Sequence, residues 1–144
     1  MLLIVRMLPE AVLEAMIERA RALDLFALLE AFDARDIERL EALTSRIGTA
    51  GLLAGINCRD LTTLQVVPSR LETLAPLLPR ALPRVAESGV ATAADARRMG
   101  QAGYDLALVG SANLVTAQIC KLDNNMPASV CGQGYISSIE GELG

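Results

Sequence analysis

Short apolar runs alternate with longer stretches of helical periodicity along most of this 144-residue chain, and no other feature limits its fold so sharply. The runs are Leu2 to Val5, Leu25 to Leu29, Leu52 to Ile56, Val85 to Ala86 with its neighbours, and Leu106 to Val109. Each is near strand length and apolar on both faces, as a strand inside a parallel sheet must be. Between them, Pro9 suits the first turn of a helix from about 9 to 23, in which Leu13, Ile17 and Ala20 to Leu23 recur at helical spacing. Asp33 with Asp36 marks the start of a second helix carrying Ile37, Leu40 and Leu43, and Thr92 with Asp95 repeats the signal before Ala96 and Met99. Ser69 to Leu78 supplies a further helix, closed by Pro79. Strands and helices in strict alternation predict an α/β fold with a parallel sheet.

The residues after each run narrow the architecture: Arg6, Glu30, Asn57, Glu87 and Gly110-Ser111 stand at the carboxyl ends of the five runs. A single Glu or Asn there is more often a solvated loop residue or a helix cap. Five in step match a barrel, whose site is assembled where strands end and loops begin. A complete (β/α)₈ barrel takes about 250 residues, so the expectation is a partial TIM barrel of about five βα units. Because Met1 runs almost directly into an apolar strand, the deficit is expected at the amino end. Such a sheet would have open edges favouring self-association or a complementing barrel fragment. From Asn124 to Ile139 no residue is charged, and Asn, Ser, Gly and Pro replace the earlier Leu, Ala and Arg pattern. The expected division is therefore a partial barrel over 1–117 and an atypical, poorly ordered tail over 118–144.

Composition removes several function classes. Aromatics are 3% of the chain and Trp is absent, so stacking platforms for nucleic-acid bases are lacking. Thirteen Lys and Arg against seventeen Asp and Glu leave a net charge of −4 without a basic cluster, which argues against nucleic acid and anionic membrane as partners. With no histidine, Ser-His-Asp and Cys-His nucleophiles and most zinc and haem sites are excluded, and neither a metal nor a cofactor is expected. Acid–base work falls to carboxylates, a lysine or thiols. Cys58, Cys120 and Cys131 form no CxxC pair or dense framework, which fits a reducing cytoplasm. The amino-terminal run lacks the basic start and cleavage pattern of a signal peptide, and no stretch approaches the roughly 18 apolar residues of a membrane helix.

The stretch GINCRDL (Gly55 to Leu61), followed by AESG (Ala86 to Gly89) and LVGSA (Leu108 to Ala112), resembles the indole-3-glycerol phosphate synthases of tryptophan biosynthesis. In that family the corresponding segments GINNR(D/N)L, SESGI and VG(S/E)A end the sixth, seventh and eighth strands. LLEAFD at Leu28 to Asp33 is similar to the fifth-strand LxEVHD, and LLIV at 2 to 5 to the fourth strand, so the resemblance covers about residues 2 to 115 and strands 4 to 8. It implies a carbon–carbon lyase that closes an indole ring on 1-(2-carboxyphenylamino)-1-deoxyribulose 5-phosphate, with loss of carbon dioxide and water. It further implies catalytic roles for Glu30, Asn57 and Glu87, substrate contacts for Arg59 and Leu108, and a phosphate cradle of Ser88, Gly89, Gly110 and Ser111.

Local chemistry supports these roles, with plainer alternatives beside them. Small residues at Ser88-Gly89 and Gly110-Ser111 let backbone N–H groups approach phosphate oxygens, or merely permit tight turns. Arg59 can hold a substrate hydroxyl or orient a carboxylate, or simply pair with Asp60 or Asp33. Cys58, where the family commonly has Asn, reads as a small buried filler rather than a nucleophile. Asn113 stands where an apolar residue is usual. The family's general acid is a lysine on the third strand, assisted by a glutamate and a lysine on the first, whereas the one lysine here is Lys121. The expectation is accordingly a synthase-like chain with little or no turnover alone; the alternative is a non-catalytic sugar-phosphate-binding half-barrel or interaction module.

Overall fold

The computed structural model describes residues 1–108, so Gly110, Ser111 and the 118–144 segment lie outside the described residues. Five strands alternate with four α-helices: β1 (Leu2–Ile4), α1 (Glu10–Ala22), β2 (Ala27–Ala31), α2 (Ala34–Ile47), β3 (Leu52–Asn57), α3 (Ser69–Leu74), β4 (Arg84–Glu87), α4 (Ala93–Ala102) and β5 (Leu106–Leu108). The strands form one sheet in the order β1-β2-β3-β4-β5, every pair parallel. Each crossover adds its strand to the same edge, so with right-handed connections the helices gather on one face. This is the winding of a (β/α) barrel and not of a doubly wound sheet, whose strand order reverses midway.

Alternation along the strands sorts side chains to two faces. Leu3, Leu29, Leu52, Ile56 and Ala86 point to the helices and join Leu13, Ile17, Ile37, Leu40 and Leu71 in one core. Alanines at 27, 31, 54 and 86 keep that sheet face low, which lets the helices pack closely. On the other face Leu2, Leu28, Leu53, Val85 and Leu106 line an apolar concavity of about 440 Å³. Its outermost strands are the most open: Leu2 is 45% exposed and Leu106 51%, while Leu28 and Val85 are buried and the central Leu53 is half-buried. An arc of barrel strands that does not close among the described residues leaves its outer strands without facing neighbours there.

Caps fix where the helices begin. Asp33 accepts from the Asp36 backbone N–H at 3.0 Å, and Thr92 with Asp95 forms a reciprocal capping box. Gly103, left-handed at φ +99°, closes α4. Two elements differ from the sequence expectation by more than a residue. Strand β2 starts at Ala27 because Leu25 N–H donates to Ala20 O at 2.9 Å, which makes Leu25 part of the α1 exit turn. Helix α3 stops at Leu74 and continues as a 3-10 turn over Ala75–Leu77, since Pro76 has no N–H to give Glu72.

Candidate active site

At the carboxyl end of the sheet, alternation that carries Leu28 inward also carries Glu30 inward, and on β3 and β4 it turns Gly55, Asn57, Val85 and Glu87 the same way. Register then sets them side by side: Glu30 pairs with Gly55 and Gly55 with Val85, while Asn57 pairs with Glu87 and Glu87 with Leu108. Asn57 Nδ2 donates to Glu30 Oε1 at 3.0 Å, and Asn57 Oδ1 accepts from Arg59 N–H at 2.8 Å. Glu30 and Glu87 are each only 4% exposed.

Glu87 lies over Gly55, and its Oε1 is buried with no hydrogen-bond partner among the described residues. Burial, then the charge of Glu30 and a hydrogen bond with it, push the Glu87 carboxyl up to about 8. Two carboxyls this close in a buried site cannot both ionise cheaply, which adds to the burial that holds Glu87 up. A protonated Glu87 can donate to Glu30, while the orphaned Oε1 lies against Gly55.

Ser88 and Gly89 follow at once, both left-handed at φ +63° and +65°. Ser88 adopts this region without being glycine, a strained conformation of the kind found at functional turns. Gly89 is held there by space as well, since a Cβ would stand 2.9 Å from Cys58 Sγ and 3.1 Å from Val66 Cγ1. Cys58 is fully buried and its thiol is pushed up by desolvation, the setting of a filler rather than a nucleophile. Its N–H donates to Glu87 O at 3.1 Å, which ties the β3 exit to the Glu87 backbone.

Arg59 goes elsewhere. The loop after β3 folds back through an antiparallel bridge between Arg59 and Val66, and Arg59 Nη1 donates to Leu64 O at 3.0 Å. Neither acid considered for it meets it among the described residues: Asp33 pairs with Arg6, and Asp60 lies 4.0 Å from Arg70 Nη2 while capping the Thr62 and Thr63 N–H groups. The structure thus brings Glu30, Asn57, Glu87 and Leu108 together, places Ser88-Gly89 beside them, and engages Arg59 in its own loop.

One cluster at this rim exceeds what the sequence suggested. Arg6, at the end of β1, pairs with Asp33 and donates from Nε to Asp36 Oδ2 at 2.8 Å, with its guanidinium 4.9 Å over the Phe32 ring. The same Asp36 oxygen accepts from Phe32 N–H at 2.9 Å. The sequence marks Arg6 as a strand-end polar residue and Asp36 as a capping partner; their union across two strands has no local signal.

The family model described as indole-3-glycerol phosphate synthase matches residues 1–122. The chain belongs to the indole-3-glycerol phosphate synthase family. It is 41% identical over 111 residues to the indole-3-glycerol phosphate synthase of Micrococcus luteus, covering 77% of this chain and 39% of that protein. The synthase of Mycolicibacterium smegmatis is 42% identical over 118 residues, 81% of this chain and 40% of its own length. That of Mycobacterium tuberculosis is 37% identical over 117 residues, again 81% and 40%. The chain therefore spans about 40% of the length of these synthases. Within that span the family fold is the parallel, singly wound arc described above.

Proposed function

We propose that this chain is the carboxyl-terminal half of an indole-3-glycerol phosphate synthase barrel, contributing the carboxylate pair and a phosphate cradle to ring closure and decarboxylation of 1-(2-carboxyphenylamino)-1-deoxyribulose 5-phosphate. The observation that carries the reading is the convergence of Glu30, Asn57 and Glu87 from three adjacent strands, with Asn57 bonded to Glu30 and both acids buried. In this reaction a carbon–carbon bond closes the ring, and carbon dioxide and water leave. Protons must therefore be given and taken while positive charge develops beside the ring nitrogen. Glu87, whose carboxyl is pushed up by burial, can give or take a proton there beside the family's third-strand lysine acid, and Glu30 lies where it can stabilise that positive charge. Asn57 fixes Glu30 and hydrogen-bonds the sugar hydroxyls, and Leu108 lines the pocket. The left-handed Ser88-Gly89 turn supports a phosphate cradle, to which the family resemblance assigns Gly110 and Ser111, outside the described residues. Arg59, presented on the bridged loop, contacts substrate if it exchanges Leu64 O for a hydroxyl. A cytoplasmic location accords with Cys58, which is free and buried.

A second reading, a sugar-phosphate-binding half-barrel without chemistry, is favoured by one observation: residues 1–108 contain no lysine. Mixing the chain with an amino-terminal fragment of a family enzyme and assaying indole-glycerol phosphate formation tests the first reading. Turnover above either piece alone is expected, and none would contradict it. Titration with a sugar phosphate separates the two, since binding without turnover marks the module.

A further inference from the structure

We propose that Gly55 is a positioning residue: the side chain it lacks is the slot in which the Glu87 carboxyl lies, and that slot holds Glu87 against Glu30. The proposal rests on the reading of Glu87 as a site carboxyl. Gly55 sits on the inner face of β3, paired with Glu30 of β2 on one side and Val85 of β4 on the other. A Cβ built there would overlap Glu87 Oε1 and stand 3.0 Å from Glu87 Cδ and 3.0 Å from Leu28 Cδ1. Backbone conformation does not call for glycine here, because Gly55 is absent from the positive-φ residues and lies in a regular strand. Space is what the position supplies.

Filling the slot leaves Glu87 one way out. Leu28 and Val85 close the sheet face below it, so an added methyl drives the carboxyl toward the open mouth and away from Glu30. The groups facing Glu87 are Glu30 from β2, the Asn57 amide from β3 and Leu108 from β5, and of these Glu30 alone is titratable. Displacement thus relieves burial and repulsion together, and the carboxyl should ionise at lower pH.

The test uses the full chain and follows the protonated-carboxyl infrared band across pH, assigned to Glu87 by its loss in Glu87→Gln. The native midpoint is expected near 8 and that of Gly55→Ala lower by about one to two pH units. A native band titrating in the ordinary carboxylate range, or an unchanged midpoint in folded Gly55→Ala, overturns the proposal. If Gly55→Ala does not fold, Glu87→Ala opens the slot: Gly55→Ala/Glu87→Ala should fold, with only the smaller loss relative to Glu87→Ala that the remaining approach to Leu28 Cδ1 causes. A double variant that stays unfolded while Glu87→Ala folds overturns the proposal. Neither readout needs turnover or phosphate, so failure of the slot is distinct from failure of the proposed activity.

Discussion

Asn57 donates to Glu30 at 3.0 Å across the β2–β3 pairing while its own carbonyl oxygen accepts from Arg59 N–H at 2.8 Å. The amide is held at both ends, so it orients the buried Glu30 carboxylate and the loop exit together. Asn57→Leu removes both bonds and takes the amide donor from Glu30. The expected loss of stability is about 1–3 kcal/mol, read from urea unfolding midpoints.

Glu87 keeps its proton in the folded chain up to about 8, whereas the unfolded chain releases it near the ordinary value of 4.5. Between those values the folded state binds the extra proton, so stability is greatest below the window and falls as pH rises through it. The fall should be of the order of a few kcal/mol. With no histidine in the chain, this slope is little obscured by other groups. Glu87→Gln should flatten it, and urea unfolding at a series of pH values shows whether it does.

Asp36 is 3% exposed and satisfies both Arg6 Nε and Phe32 N–H. Asp36→Ala leaves the buried Phe32 N–H unpaired and Arg6 with Asp33 alone, and should cost about 1–3 kcal/mol. Asp33→Ala loses a cap and an exposed pair, for about 1 kcal/mol. Thermal and urea denaturation of the two variants should rank them in that order.

Gly89→Ala meets strain at φ +65° and the Cys58 sulfur at 2.9 Å. A destabilisation of about 1–3 kcal/mol is expected, with weaker sugar-phosphate binding by calorimetric titration. Adding Cys58→Ala removes the sulfur contact, leaving Val66 Cγ1 at 3.1 Å, and should make the further cost of Gly89→Ala smaller than in the native background.

The alternation of apolar runs with capped helices made the strand and helix order legible, because parallel strands covered on one face by helices need continuous apolar segments. Asp33 and Thr92 announced their helices through side chains that act within four residues. Boundaries were harder where a tertiary or local bond decided them, as when Leu25 joined the α1 exit turn and Pro76 tightened the end of α3. Glu30, Asn57 and Glu87 were recognisable as strand-end residues, yet their burial side by side depends on register across three strands. Arg59 shows the reverse: its motif is plain, but a bridge seven residues on turns its guanidinium to Leu64 O. Gly55 was visible only as part of GINCRDL, since what makes its missing side chain matter is a carboxyl from another strand.

The most direct measurement is turnover by the chain reconstituted with an amino-terminal family fragment, comparing native Glu87 with Glu87→Gln. The carboxylate-pair account predicts that kcat falls by about a hundred- to ten-thousand-fold with KM little changed. A reconstituted barrel in which Glu87→Gln turns over as fast as the native chain would contradict it.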